Sequence, residues 1–300
     1  MAVVTEALVV GGSGLLGSAL MTEFAAGGTT AAGTFCDNQW ASLVRLDLND
    51  TGAIGRLLGE LAPRVVINTA AESNVDLCER EPERSHRANV ESAVNLALGC
   101  RKAGARLVSF SSDYVFGSER GPYDDGHTPA PMNTYGRHKL EAEHAVAEAL
   151  ADHLVVRVCN LYGYHPGGKN FVMGLLARLR AGEPIRVPLD QWGSPTLVSD
   201  LASAVTVAAF SELRGTVHMA GPDNLDRLSF ATRAAELLGF KDVGVEGVRT
   251  SELAQAAKRP LRGGLVTSAA VEGLGLRFRG IDEGLLRVRA AMEAAPEPQD

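Results

Sequence analysis

The feature that most constrains this chain is a short apolar run, Ala7-Leu8-Val9-Val10, that ends in Gly11-Gly12-Ser13-Gly14-Leu15-Leu16-Gly17. Leu16, Leu20 and Phe24 then recur at helical spacing. Together they read as strand, tight turn and helix. In Gly11-x-x-Gly14-x-x-Gly17 the first glycine permits the turn, the second lets a diphosphate approach the backbone, and the third lets helix pack on strand. Amide groups at the helix start, around Ser13, Leu15 and Leu16, would face the phosphates. A ligand-free turn needs the same residues, but the position at the very first βα junction favours a nucleotide.

The alternation of apolar runs and helical patterns continues. Residues 31–35 follow the helix-ending Gly27 and Gly28 and should form a second strand, with Asp37 just beyond it. A carboxylate about twenty residues past the glycine loop can accept hydrogen bonds from the adenosine ribose and favours NAD over NADP. No Lys or Arg occurs between Thr22 and Val44 to meet a 2′-phosphate, although Asp37-Asn38 is also ordinary turn chemistry. Residues 43–48 read as a third strand with Asp47 at its exit, 54–61 as a helix, and 65–68 as a fourth strand. Thr69, Ala70 and Ala71 put small residues at that strand's carboxyl end, where a cofactor needs close approach.

Residues 82–103 carry a helical pattern with Asn89 and Asn95 inside it, and 105–110 read as a fifth strand running into Ser111-Ser112-Asp113-Tyr114-Val115-Phe116-Gly117. Hydroxyls at the end of a central strand are well placed to hold a substrate carbonyl. Pro129, Pro131 and Asn133 mark a loop and helix start. Tyr135 and Lys139 then fall one turn apart on one helical face. A phenol with a pKa near 10 is a poor acid, and a neighbouring cation favours its ionised form and brings proton transfer within reach. Taken alone, the spacing is also a common accident of helices.

Bulk properties narrow the choices. A chain of 300 residues with 45% hydrophobic content suits one large α/β domain, or a principal domain with a smaller lobe. The formal net charge of -7 argues against a nucleic-acid binder, which needs clustered excess Lys and Arg. Cys36, Cys78, Cys100 and Cys159 show no close pairing, so neither a metal site nor a disulfide framework is expected; they read as reduced thiols of a cytoplasmic protein. The N-terminus lacks a basic region before its apolar run, so no signal peptide is expected, and no apolar run approaches the length of a membrane span.

The ordered set of motifs carries a resemblance. Gly11-x-x-Gly14-x-x-Gly17, Asp47-Leu48, Asn68-Thr69-Ala70-Ala71, Asn89-Val90, Ser111 to Phe116, Tyr135-x-x-x-Lys139, Asp190-Gln191-Trp192-Gly193-Ser194-Pro195-Thr196 and Arg259-Pro260 span nearly the whole chain. It resembles the extended short-chain dehydrogenase/reductases and, within them, is most similar to dTDP-4-dehydrorhamnose reductases. The resemblance implies a Rossmann-like doubly wound parallel sheet with a smaller C-terminal substrate-binding lobe. Residues 1–157, with 197–222 returning, would hold the dinucleotide; 158–196 and 223–300 would hold the substrate. In texture, 171–181, 197–210 and 228–238 read as helices and 215–220 as a strand, while 294–300 should fray.

By the same resemblance Tyr135 is the general acid, Lys139 binds the nicotinamide ribose and lowers the Tyr135 pKa, and Ser112 hydrogen-bonds the substrate carbonyl. Asn89 matches a helix Asn that supports a proton-relay water. Asp47 and Leu48 match positions near the adenine; Asp113, Tyr114, Val115, Gln191, Trp192 and Thr196 match positions beside the sugar. Arg259 and Arg262 are candidates for a diphosphate because an Arg fork matches phosphate geometry. The implied chemistry is reduction of the C4 ketone of a dTDP-4-keto-6-deoxyhexose by NADPH or NADH, with a homodimer left open. The rivals are a dehydratase, an epimerase and a non-catalytic subunit. Asp113 is followed by Tyr114 rather than Glu, which disfavours a dehydratase. An epimerase of the same superfamily would keep its cofactor through turnover. A regulatory subunit resembling methionine adenosyltransferase beta shares the Ser-Ser-Asp-Tyr-Val-Phe and Tyr-x-x-x-Lys motifs.

Overall fold

The computed structural model describes residues 5–37, 40, 42–117, 121–168, 170–240 and 244–295. Strands β1 (Ala7–Val10), β2 (Ala31–Phe35), β3 (Val44–Arg45), β4 (Val65–Asn68), β5 (Arg106–Ser112) and β6 (His153–Val158) join Gly215–His218 in one seven-stranded sheet. The order across it is Gly215–His218, β6, β5, β4, β1, β2, β3, and each pairing is parallel. Order reverses between β1 and β4, so the connections leave those two strands in opposite directions and a crevice opens at their carboxyl ends. This is the expected Rossmann-like doubly wound sheet.

The continuous apolar runs of β1 and β4 follow from burial on both faces of a parallel sheet. On one face Ala7, Val9, Val65 and Ile67 pack with helix α1 (Leu15–Ala26) and helix Val198–Ala209; on the other, Leu8, Val10 and Val66 pack with helices Thr51–Leu61 and Ser92–Ala103. A separate apolar cluster is built from helices Phe171–Arg180, Arg227–Leu237 and Ile281–Ala294 with the parallel pair Ile185–Pro188 and Val245–Val248. No helix among the described residues is long and apolar enough to cross a membrane.

Two elements differ from expectation in ways that matter for the site. The strand expected over 43–48 is cut to Val44–Arg45. After Leu46 N donates to Phe35 O at 2.8 Å, the Asp47 carboxylate accepts from Asn49 N at 2.9 Å and starts a turn. The helix expected over 82–103 is α-helical at Pro82–His86 and Ser92–Ala103, with a π-turn at Arg87–Glu91 between them. Such widened turns are frequent at functional sites, and this one carries Asn89. Helix Ile281–Ala294 has a sparse apolar pattern in sequence and forms because Leu285 and Val288 are buried in the third cluster. Of the segment expected to fray, residues 296–300 lie outside the described residues.

Candidate active site

Tertiary contacts explain the glycine loop. Gly11 has φ +81°, and a Cβ there would lie 2.8 Å from Thr69 Oγ1. That threonine donates its hydroxyl to Val10 O at 2.8 Å and to Gly11 O at 3.1 Å, tying the loop to the end of β4. A Cβ at Gly17 would collide with the Gly11 carbonyl, so α1 can seat against the loop only with glycine there. Gly14 caps α1 without a side-chain bond, which leaves its first-turn amides and the positive end of its dipole available to an anion. The Leu16 side chain is buried in the core behind the loop, so its contribution is packing.

From the loop a cleft of about 330 Å³ runs over the sheet edge. It brings together Gly11, Asp37, Asp47, Leu48, Ala70 and Ala71, all expected from sequence, and adds Cys36 and Arg84. Arg84 Nη1 is 3.2 Å from Glu81 Oε2, and its Nη2 is 3.7 Å from Glu72 Oε2. It stands far from the glycine loop in sequence, and nothing local marked it.

The helix carrying Tyr135 and Lys139 spans Thr134–Ala149. Asn133 caps it by accepting from Gly136 N at 2.8 Å, while its own amide donates to Lys258 O at 2.8 Å. Gly136 packs on the Tyr114 carbonyl, where a Cβ would collide. The first turn therefore locks against the short 3₁₀ turn Asp113–Val115 that follows Ser112. Ser112 lies close enough to Tyr135 to favour its ionised form, and the Tyr114 and Tyr135 rings meet edge to face at 5.7 Å.

The resemblance implies that Lys139 lowers the Tyr135 pKa. In the protein alone the balance runs the other way: burial raises the phenol, and the nearby Ser112 hydroxyl opposes it only in part. Lys139 Nζ lies 5.9 Å from the Tyr135 ring centre and donates to Phe110 O at 3.1 Å. Burial pushes its ammonium down to about 8, with Cys78 and Glu143 pulling upward. Glu143, one turn further on, accepts from Arg157 Nε at 2.9 Å and Nη2 at 2.6 Å in a buried bidentate pair. Lys139, Glu143, Asn89, Ser111 and Thr69 border a cavity of about 30 Å³, enough for one water. Asn89 donates to Glu72 O at 3.1 Å and Ser85 Oγ at 3.3 Å, while Asn89 Oδ1 and Ser111 Oγ are buried without a partner among the described residues.

On the other side of Tyr114 a cleft of about 690 Å³ opens, lined by Tyr114, Gln191, Arg259, Phe171, Arg178, Arg186 and Arg227 among others. Of the positions expected beside the sugar, Tyr114 and Gln191 line it, and so does Arg259, expected at the diphosphate. Val115 and Thr196 are fully buried and do not line it, the Thr196 hydroxyl donating to Ser194 O at 3.0 Å. Trp192 is half-buried beneath the Arg262 guanidinium at 4.8 Å. Both oxygens of Asp113 are bonded within the protein, to Ser112 and to Cys159 with Gly264.

The arginines also sort differently from expectation. Arg259 is committed to Asp76 at 3.0 Å and Ala257 O at 2.9 Å. Arg178 and Arg186 pair with Glu183 and with Glu246 and Glu252. Arg227 touches no carboxylate among the described residues: it lies 4.6 Å over Phe171 and donates to Asn160 Oδ1 at 3.0 Å. Its charge reaches Asp113 and Tyr114, holding both down against burial. It was not singled out from the sequence.

The sequence matches the family described as RmlD substrate binding domain over residues 5–293. A protein named dTDP-4-dehydrorhamnose reductase from Streptomyces griseus is 35% identical over 263 residues, 84% of this chain and 83% of that protein. Methionine adenosyltransferase 2 subunit beta from Pongo abelii is 29% identical over 290 residues, 93% of this chain and 86% of that protein. Among solved structures, dTDP-4-dehydrorhamnose reductase from Bacillus anthracis in complex with NADP superposes with a TM-score of 0.87 at 30% identity, covering 96% of this chain and 100% of that one.

Proposed function

Because the chain belongs to the RmlD substrate binding domain family, we propose that it is an NAD(P)H-dependent oxidoreductase of deoxysugar biosynthesis that reduces the C4 ketone of a dTDP-4-keto-6-deoxyhexose. One arrangement supports this most. Tyr135 meets Tyr114 edge to face, and Tyr114 lines the arginine-rich cleft, while Lys139 shares its cavity with Thr69, Ala70 and Ala71 at the end of the glycine-loop crevice. Tyr135 thus lies beside one residue of each of two cavities of different chemistry.

The residues present fit a dinucleotide. Gly11 admits no side chain, α1 begins without a side-chain cap, and Asp37 and Asp47 border the adjoining cleft. We assign the dinucleotide to 1–157 with 197–222, and the nucleotide sugar to the lobe of 158–196 and 223–300. Reduced nicotinamide supplies the hydride when bound. As charge develops on the substrate C4 oxygen, Tyr135 gives it the phenolic proton and Ser112 donates a hydrogen bond. Burial keeps the phenol protonated at neutral pH, the state a donor needs. Lys139 holds the nicotinamide ribose, and Asn89 supports a water in the small cavity that returns a proton toward Lys139. Arg227, which pairs with no carboxylate among the described residues, is our candidate for the diphosphate.

The test is cofactor oxidation with dTDP-4-keto-6-deoxyhexoses, wild type beside Tyr135→Phe. Wild type should oxidise one cofactor per ketone reduced, and the variant should lose about 10²- to 10⁴-fold in turnover with cofactor binding retained. Undiminished turnover in the variant removes Tyr135 from the mechanism. Substrate conversion without net oxidation would instead indicate an epimerase. The similarity to methionine adenosyltransferase 2 subunit beta sustains a second reading, a non-catalytic subunit. A chain that reduces no such ketone but co-purifies with a partner enzyme would favour it.

A further inference from the structure

A buried acid beside the catalytic hydroxyl imposes a count of hydrogens. Ser112 Oγ has one hydrogen and two lone pairs. One lone pair accepts from Tyr114 N at 3.2 Å, and the same oxygen lies 3.0 Å from Asp113 Oδ1. A single hydrogen must lie between those two oxygens. Were Asp113 a carboxylate, that hydrogen would have to come from Ser112, leaving none for a substrate oxygen. Were Asp113 a carboxylic acid, the hydrogen would be its own, and the Ser112 hydroxyl could donate elsewhere.

The surroundings of Asp113 favour the neutral form. Oδ2 accepts from Cys159 Sγ at 3.0 Å and from Gly264 N at 3.4 Å, both uncharged donors. The residue is 5% exposed and forms no ion pair among the described residues. The groups facing it are Ser112 on β5, Tyr114 in its own turn, Tyr135 on the catalytic helix, Cys159 after β6, the Gly264 amide and, as the charged group, Arg227. Burial pushes the Asp113 carboxyl up, against opposing pulls from Cys159, Ser112, Gly264 and Arg227. A neutral carboxylic acid that donates a hydrogen bond at a reaction centre is established chemistry for buried Asp in other enzymes.

We propose that Asp113 works as a neutral acid that donates its hydrogen to Ser112 Oγ and so turns the Ser112 hydroxyl toward the substrate oxygen. Asp113 is then a positioning residue that acts through Ser112. This rests on the ketone-reduction reading for the identity of that oxygen, while the protonation state of Asp113 does not depend on it.

Two measurements test the proposal. Carboxyl ¹³C NMR of Asp-labelled protein, wild type against Asp113→Asn, should show one carbon, missing in the variant, that stays protonated at neutral pH. Titration of that carbon in the ordinary carboxylate range overturns the proposal. In turnover, Asp113→Asn keeps an N–H donor toward Ser112 and should stay within about tenfold of wild type, whereas Asp113→Ala should fall about 10²- to 10³-fold, the range for a lost oxyanion donor. Wild-type activity should decline as pH rises through the Asp113 pKa, and the Asn variant should lack that limb. Equal losses in both variants overturn the proposal. Should the Asn variant not fold, the carbon is assigned by its response to Cys159→Ala and the titration decides alone. A wild type that reduces no ketone sinks the functional reading instead, and the NMR result stands apart from it.

Discussion

Gly136 sits against the Tyr114 carbonyl oxygen so closely that no side-chain carbon fits between them. Alanine would favour the helix over glycine by about 1 kcal/mol in an unconstrained interior, but the overlap costs about 1–3 kcal/mol and must be relieved by backbone movement. The residue beside it is Tyr135, and the turn it presses on begins at Ser112. Gly136→Ala should therefore separate the two hydroxyls and lower kcat by about 10²-fold, the loss typical of an ångström of misplacement. Steady-state kinetics beside thermal unfolding checks this; an unchanged kcat would mean that the turn yields without moving Tyr135.

Lys139 gives a proton-linkage prediction. Its folded pKa is depressed from 10.5 to about 8 by burial. A lysine shifted down is neutral in the folded protein where the unfolded chain holds the proton, so this contribution to stability is present above pH 10.5 and lost as pH falls through 8. A dinucleotide's negative charge near Lys139 raises its pKa again. Cofactor binding at about pH 9 should therefore take up a proton, read by calorimetry in buffers of different ionisation enthalpy. Lys139→Met should abolish the uptake, and wild-type binding without it would contradict the assignment.

The buried Glu143–Arg157 pair extends the ordered face beneath Lys139. Arg157 also lies 5.1 Å over the Phe116 ring, with Nη1 3.3 Å from His218 Nε2. Glu143→Gln leaves that guanidinium buried without its counter-charge and should cost about 3–5 kcal/mol, whereas Glu143→Gln with Arg157→Met should recover much of the loss. Urea unfolding of the single and double variants measures both. A double variant as unstable as the single one would show that Arg157 stabilises through packing alone.

Asp37 and Arg84 face the same cleft beside the glycine loop with opposite charge. A carboxylate favours a ribose hydroxyl and opposes a 2′-phosphate. Asp37→Ala should move the ratio of kcat/KM values toward NADPH by about tenfold, or 1.4 kcal/mol, and Arg84→Ala should move it toward NADH. Neither ratio moving would place the 2′ position elsewhere.

How much was legible in the chain depended on how local each signal was. The glycine turn and the one-turn spacing of Tyr135 and Lys139 were readable because strand-to-helix turns and helical spacing are written in adjacent residues, whereas the roles expected of Ser112, Tyr135 and Lys139 came from the resemblance. The strand over 43–48 was overextended because apolar content alone does not reveal that Asp47 turns the chain. Asn89 was singled out, but its π-turn was not, since its side chain bonds to Glu72 and Ser85 outside that turn. Arg227 and Cys159 had no local mark.

The sequence by itself determined the parallel sheet and the glycine turn, because hydrophobic periodicity and glycine sterics act over a few residues, and its resemblance to a known family singled out Tyr135, Lys139 and Ser112 as the candidate site. Only the tertiary structure decided which charges are free and which are spent. Arg259 is taken by Asp76, Arg227 lines the cleft with no carboxylate partner among the described residues, burial outweighs Ser112 in setting the Tyr135 pKa, and Asp113 is enclosed with Ser112, Cys159 and Gly264. Desolvation and pairing depend on what the rest of the chain packs against each group, and no spacing along the sequence encodes that.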